Sequence, residues 1–325
     1  MEHRLIKTLV FGAVLLAALM GSGPGRAAEP KAGSAPALKV ALLPILDAFP
    51  FYVAEASGDF AAEGLKVEAV PVSSALERDQ LMQARQIDGM LSELSTAAVF
   101  NRDGVKVKVV GVLREAKAGS PMFRVLAAPG SGLASPADLA GVPIGVAENT
   151  IIEYVTRRLL RESGVPADKI ALRSVPAIPE RYQLLMNGSL KAAVLPDPMG
   201  LSAIKAGAPE IINDAAFPRY AISVFAFSLK ATTDKAEAVR RFLKAWEKAV
   251  ARIEANPSAQ VPLLLKSIRV PPNVQQGYVL PYYPHAKVPD EAQWNDVIAW
   301  LMEKKLLTTP LPYGQTVTPA FLPKH

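Results

Sequence analysis

The sequence predicts an α/β protein of two similar lobes with mainly parallel sheets, joined by a two-segment hinge. Three observations predict it: a strand, helix, strand unit where folding starts, an internal repeat at a fixed offset, and two β-rich segments that leave and rejoin the first unit. Each element follows in turn.

The first 27 residues stand apart. Arg4 and Lys7 precede an uncharged apolar run over residues 9–20, and Gly, Ser and Pro follow. This is the order of a secretory signal, and the run is shorter than the ~20 residues that span a bilayer. Cleavage after Ala27 places Gly25 and Ala27 at the two small-residue positions. Residues 28–37 (AEPKAGSAPA) read as a flexible lead-in.

Residues 38–42 (LKVAL) and 64–72 (GLKVEAVPV) read as strands around a helix over 51–63 that Gly64 ends. A unit of this length implies parallel strands joined by a right-handed crossover. The repeat comes next. Residues 77–91 (ERDQLMQARQIDGML) align without gaps against residues 180–194 (ERYQLLMNGSLKAAV), an offset of 103. Both begin Glu-Arg-x-Gln-Leu and read as a helix, a turn and a short buried strand. Upstream, 38–43 (LKVALL) has its counterpart 104 residues on, in 142–147 (VPIGVA), followed by a helix over 153–164 and a strand over 169–175.

Residues 105–113 (VKVKVVGVL) form a further strand of lobe one, and 123–129 (FRVLAAP) cross to lobe two. Lobe two begins at 135–141 (SPADLAG), where Ser135 can cap a short helix with Pro136 at its first position. Residues 221–229 (AISVFAFSL) cross back, and amphipathic helices over 235–255 and 290–305 follow. Lobe one is therefore discontinuous: residues 38–128 form its first part, 129–225 form lobe two, and 226–325 complete lobe one. The proline-rich stretches 257–289 and 308–325 are expected to wrap on the surface.

Composition narrows the chemistry. With 325 residues, half of them apolar, the chain can bury a large core. Cysteine is absent, which removes disulfides, thiolate catalysis, Cys-ligated zinc and a lipid-anchoring cysteine. The formal charge of +6 falls to +4 once Arg4, Lys7, Arg26 and Glu2 are removed with the signal, and no basic run points to nucleic acid. The histidines are His3, His285 and His325, too scattered for a His-based triad or a metal cluster. No cofactor and no metal are expected.

In a parallel α/β lobe, ligands meet the loops at the carboxyl ends of the strands. Those loops are 43–51, 92–96, 114–122, 148–152, 176–181 and 196–200, and two lobes facing across a hinge would close them around a ligand. Ser92, Ser95 or Thr96 would cap the following helix, whose free N–H groups suit an anion or a carbonyl oxygen. Asp197, followed by Pro198, reads as a helix start in lobe two. Glu148, Asn149 and Thr150 end the first strand of lobe two, and the last two are either ligand hydrogen-bonding groups or caps. Arg114 and Arg181 are the positive candidates, able to hold a carboxylate, sulfonate or phosphate. Against them stand the carboxylates of Asp47, Glu93, Glu148 and Asp197. That balance favours a neutral, zwitterionic or amine-bearing organic ligand over a simple anion.

The loop LLPILDAFPFY (residues 42–52) is greasy for a turn. Phe49, Phe51 and Tyr52, with Tyr154 opposite, could stack on a planar ligand, since rings supply contact area at low entropic cost. Phe49 is the ring expected to touch ligand. Phe51 and Tyr52, near the helix start, are the rings more suited to anchoring the loop in the core.

Residues 38–72, with 83–100 (QARQIDGMLSELSTAAVF), resemble the start of the nitrate, sulfonate, taurine and thiamine-precursor group of periplasmic substrate-binding proteins of ABC importers. The stretches SPADLAGVPIGV, RYQLLMNGSLKAAVLPDP and KAEAVRRFLKAWEKAV are similar to the second half of the same group. The resemblance runs from about Leu38 to Leu306. It implies a type II periplasmic binding protein, a monomer that holds a small organic ligand between its lobes, delivers it to an ABC permease with a cytoplasmic ATPase, and catalyses nothing. Two alternatives stay open: a binding protein that feeds a sensor or chemoreceptor, and an enzyme, either a secreted hydrolase or one of the pyrimidine-synthesising enzymes that share the fold.

Overall fold

The structure is a computed structural model that describes residues 37–324. The expected signal, residues 1–27, and nearly all of the lead-in lie outside the described residues. Among the described residues, no helix is long and apolar enough to cross a membrane.

The strands in chain order are β1 (Ala37–Leu42), β2 (Lys66–Pro71), β3 (Gly89–Ser92), β4 (Val107–Glu115), β5 (Phe123–Ala127), β6 (Ile144–Val146), β7 (Leu172–Ser174), β8 (Ala192–Pro196), β9 (Glu210–Asn213) and β10 (Ile222–Ser228). They form two five-stranded sheets, ordered β2-β1-β3-β10-β4 and β7-β6-β8-β5-β9. The two orders match position for position. In each sheet one strand, β10 or β5, runs antiparallel to both of its neighbours, while the β1–β2, β1–β3, β6–β7 and β6–β8 pairs are parallel. The internal repeat is thus a repeat of sheet topology.

The two β-rich segments expected to cross between lobes are themselves inner strands. Apolar runs such as FRVLA and ISVFAFS are almost wholly buried and need a neighbour on each side, a position that a connector cannot supply. The passages between the sheets are consequently 116–122 and 214–221, a few residues ahead of the boundaries that the sequence places at 128 and 225. They run side by side: Ala116 donates its N–H to the Ala221 carbonyl at 3.0 Å, and Asp214 accepts from the N–H groups of Met122 and Phe123 at 2.9 Å each.

The helices are α1 (Phe49–Ala56), α2 (Asp59–Ala62), α3 (Ala75–Gln83), α4 (Leu94–Asn101), α5 (Ile151–Glu162), α6 (Ile178–Met186), α7 (Met199–Lys205), α8 (Leu229–Asp234), α9 (Ala236–Ala255), α10 (Pro257–Ser267), α11 (Pro272–Gln275), α12 (Glu291–Glu303) and α13 (Tyr313–Thr316). The single helix expected over 51–63 is two, because Gly58 adopts φ +70° between them. Ser74 caps α3, its hydroxyl accepting from the Glu77 N–H at 3.1 Å while the Glu77 carboxylate takes the Ser73 N–H at 2.8 Å. In α9, Val239, Phe242, Leu243, Trp246, Ala249, Val250 and Ile253 recur every three or four residues and are all buried. That stripe packs on α1 and α2.

The stretch 257–289 departs from its expected surface course. It begins as α10, which tolerates Pro262, and then returns inward. Asn273 exchanges hydrogen bonds with Ser202 of α7, Tyr282 donates its N–H to the Ser120 hydroxyl at 2.9 Å, and the Tyr283 hydroxyl donates to the Leu46 carbonyl at 2.8 Å. This strap therefore touches the lobe-two helix, the outgoing passage and the β1 loop in turn.

A second bridge joins the lobes at α5 and α12. The Tyr154 hydroxyl and the Arg158 guanidinium both donate to Asp296, at 2.5 and 2.8 Å, and Lys304 reaches the buried Glu153 at 2.9 Å. Tyr154 lies edge-on to Trp300, with ring centroids 5.4 Å apart. It is a core residue of the bridge, a correction to its expected place opposite the β1 loop as a stacking ring.

Candidate functional site

The carboxyl ends of β1, β3 and β4 carry the lobe-one candidates. Residues 46–48 coil into a short 3₁₀ turn ahead of α1, which buries Asp47 beside the end of β4. Arg114 meets it there: Nη1 donates to Asp47 Oδ1 at 3.2 Å and Nη2 to the Pro121 carbonyl at 2.7 Å, while Nε has no partner among the described residues. Burial disfavours this cation, but Asp47, Tyr283 and Asp197 outweigh it and hold the Arg114 pKa above its ordinary value.

At the end of β3, Glu93 occupies the cap position of α4 without a side-chain capping bond. None of Ser92, Ser95 and Thr96 caps the helix, contrary to expectation. Instead the Ser92 and Ser95 hydroxyls are buried with no hydrogen-bond partner among the described residues, and Thr96 accepts from Arg78 Nη2 at 3.2 Å. Arg78 also bonds the Leu91 carbonyl, the Glu93 carboxylate and Asp79. Burial again works against the cation, and Glu93 with Asp79 more than offsets it. Ser95, Thr96 and Asn149 are among the lining of a groove of about 1560 Å³ that also takes in Ala37, Lys66, Asp88 and Lys106, at the amino ends of β1, β2, β3 and β4.

In lobe two, Asp197, one residue ahead of the cap position of α7, accepts the Leu201 N–H at 3.1 Å and forms a two-pronged pair with Arg124, at 2.7 and 2.8 Å. Arg124 bonds Glu210 as well. Gly200 makes the approach possible, since a Cβ there would lie 2.9 Å from Arg124 Cδ and 3.0 Å from Asp197 Oδ1. Thr150 caps α5, accepting from the Ile152 N–H at 3.1 Å, and its hydroxyl donates to the Ala147 carbonyl at 2.7 Å. Glu148 and Asn149 are exposed, and Asn149 takes φ +60°. Arg181 is fully buried: Nε donates to the Val194 carbonyl at 2.7 Å and Nη1 to the Val175 carbonyl at 2.6 Å.

The structure corrects two expectations about this site. Phe51 packs on Phe60 and Phe242, with centroids 5.1 and 6.3 Å away, and has no accessible surface; as the first turn of α1 rolls inward, Phe49 is fully buried too. Neither ring offers a face to a ligand in this structure. The charge balance also changes, because three of the four carboxylates are matched: Asp47 by Arg114, Glu93 by Arg78 and Asp197 by Arg124. The count of carboxylates therefore no longer argues for a neutral, zwitterionic or amine-bearing ligand.

Sequence reasoning missed Arg78, Arg124, Tyr278, Tyr283 and Asp214. Tyr278 is half-buried on the strap, within electrostatic reach of Asp197, Arg114 and Arg124; burial and then Asp197 raise its pKa. Arg78 was findable, since the repeat aligns it with Arg181. Asp214 is completely buried beside the hinge, and burial pushes its carboxyl up to about 7 against the pull of the Met122 and Phe123 N–H groups.

Two lobes with five-stranded sheets of one topology, joined by two adjacent passages and bearing polar groups at their strand ends, define the two-lobed periplasmic-binding-protein fold. The chain belongs to the family described as NMT1/THI5 like, which matches it over residues 46–260. No curated protein matches it by sequence. Among solved structures, it is similar to the ligand-binding component of an ABC-type import system from Staphylococcus aureus with zinc bound, at TM-score 0.74 and 12% identity over 88% of this chain and 97% of that one. The alkanesulfonate-binding protein SsuA from Xanthomonas axonopodis pv. citri bound to MOPS gives TM-score 0.73 and 17% identity over 88% and 99%. The desulfurization enzyme DszB gives 0.66 and 15% over 88% and 97%. At these identities the likenesses show the fold.

Proposed function

We propose that this chain is a periplasmic substrate-binding protein that captures a small organic molecule between its lobes and delivers it to an ABC importer. The observation that carries this reading is the set of buried, unpartnered polar atoms at the strand ends of both lobes: the Ser92 and Ser95 hydroxyls, Arg114 Nε and Arg181 Nη2. A buried donor without a partner costs about 1–3 kcal/mol, and a polar ligand in the cleft would satisfy several at once. Tyr278, on the strap over the paired arginines, is the aromatic contact that this reading assigns in place of Phe49. The signal expected over residues 1–27 and the likeness in fold to the binding components of ABC importers support the periplasmic location and the transport role.

The likeness to DszB keeps an enzyme as the second reading. Against it, the chain has no cysteine to serve as a nucleophile, and both ring nitrogens of His285 are engaged by Glu247 and Glu254 of α9. The test is to denature freshly purified protein and identify any released molecule by mass spectrometry, then return that molecule to refolded protein. Capture predicts a raised melting temperature and an unchanged molecule. Chemical conversion of it by the protein would overturn the reading.

A further inference from the structure

Glu247 and Glu254 stand about two turns apart on α9, so their carboxylates share one face of that helix. The half-exposed imidazole of His285 lies between them: Nδ1 is 2.5 Å from Glu247 Oε1, and Nε2 is 2.9 Å from Glu254 Oε2. The other Glu247 oxygen accepts the Ala286 N–H at 2.8 Å. An ionised carboxylate only accepts, and a neutral imidazole has one N–H and one lone pair. Neutral His285 could therefore satisfy one of the two carboxylates and would turn its lone pair on the other. The imidazolium, a donor at both nitrogens, fits the arrangement.

The place of this ring in the chain gives the charge something to control. His285 fastens one end of the strap, and the other end is held on lobe two, where Asn273 exchanges hydrogen bonds with Ser202. Between these anchors Gly277 takes φ +68° and Val279 is 83% exposed, while Tyr278 lies within electrostatic reach of Asp197, Arg114 and Arg124. A change at the His285 end thus alters the freedom of a segment that reaches both lobes. The charged groups around the ring are Glu247 and Glu254 from α9, Glu115 at the end of β4, which accepts from Lys287 at 2.6 Å, and Lys117, whose Nζ lies 4.3 Å from the Tyr282 ring centre. Histidine is the side chain that ordinarily changes charge between about pH 5 and 8. The hydrogen bonds of Glu247 and then Glu254 hold the His285 pKa above its ordinary value.

We infer that His285, Glu247 and Glu254 form a proton-operated latch, which fastens the strap to α9 while the imidazole is charged and frees it when the proton leaves. The latch stands without the capture reading, whereas its consequence, a pH-dependent setting of Tyr278 at the strand ends, rests on that reading. A base that holds its proton more tightly in the folded protein contributes fully below the ordinary histidine value of about 6.5, and the contribution is lost as pH rises through the folded value. The strap is therefore fastened in mildly acidic conditions and released in mildly alkaline ones.

The mature protein, from residue 28, has two histidines, His285 and His325, so two imidazole signals follow the titration by NMR and His325→Gln assigns them. His285 is expected to titrate above about 6.5 and above His325, and Glu254→Gln should lower its midpoint. Hydrogen exchange in residues 274–286, corrected for the intrinsic pH dependence of exchange, should speed up about threefold or more as pH passes that midpoint, and should show no such step in His285→Gln. Asp214 at the hinge also titrates near neutrality, and His285→Gln leaves it in place. A step that survives in this variant would therefore belong to the hinge and would overturn the latch. A His285 midpoint at or below the ordinary value, or exchange that does not change across the midpoint, would overturn it as well. Each of these failures leaves capture standing, whereas conversion of the molecule released from the purified protein would overturn capture and leave the latch intact.

Discussion

At residue 78 of lobe one and residue 181 of lobe two, the same side chain occupies the same place in opposite company. Arg78 is enclosed by two carboxylates and a hydroxyl, and Arg181 by backbone carbonyls alone. The loops after the equivalent strands β1 and β6 diverge in a parallel way: the first rolls Phe49 and Phe51 into the core, and the second leaves Glu148 and Asn149 exposed. Repetition has kept what the sheets require, the helix starts and the strand-end carbonyls, and has changed the side chains around them. Lobe one is electrostatically closed and lobe two has one charge to spare.

The contrast can be broken by experiment. Removing the cation of lobe one by Arg78→Met strands Glu93 and Asp79, and should lower stability by about 3–5 kcal/mol, whereas Arg181→Met, which strands no carboxylate, should stay within about 1–2 kcal/mol of wild type. Chemical denaturation of both variants measures this, and equal losses would erase the difference between the lobes. Phe49→Ala should cost about 3–5 kcal/mol as a cavity in the core, against less than about 0.5 kcal/mol for Asn149→Ala on the counterpart loop. A Phe49 variant of normal stability would return that ring to the cleft.

Asp214 sharpens the comparison from the hinge. Its folded pKa of about 7 lies above the ordinary carboxyl value, so the folded protein holds this proton more tightly than the unfolded chain does. Its contribution is full below about pH 4 and is lost as pH rises towards 7, the reverse of a salt-bridged carboxylate. Asp214→Asn removes this dependence. Relative to wild type, the variant should gain on the order of 2–4 kcal/mol between pH 4 and pH 7, and a flat difference across that range would refute the raised pKa. The smallest expected effect comes from copying lobe one into lobe two. Pro196→Glu, at the position of Glu93, gives the buried Arg181 a carboxylate partner and should shift stability by only about 1 kcal/mol, the Coulomb gain offsetting the desolvation of the new charge; chemical denaturation measures it.

Much of the architecture was legible because it depends on local pattern. The apolar strands, the Ser135 start, the α9 stripe and the Glu-Arg-x-Gln-Leu repeat all carry their reason within a few residues. The site was legible by position and obscure in its pairings. Asp47, Ser92, Arg114 and Asp197 do lie at strand ends, yet Arg124 reaches Asp197 only through the antiparallel register that sets Phe123 opposite Pro196. Tyr283 reaches Leu46 from the far end of a proline-rich segment with no periodicity to reveal its course. Phe49 misled for a physical reason: a ring in a loop and a ring on the first turn of a buried helix look alike until the turn is placed.

The position of the antiparallel strand in the chain has a consequence for how the protein is made. Lobe two is written in one uninterrupted run, with β5 first and β6 to β9 after it, so its sheet can close as soon as residue 213 has been synthesised. Lobe one is begun earlier and finished later. Until β10 arrives, β3 and β4 face each other across a missing strand, with backbone donors and acceptors exposed on both edges. The amino-terminal lobe is therefore the last to be completed, and a nascent chain halted before residue 222 carries one finished sheet and one adhesive gap.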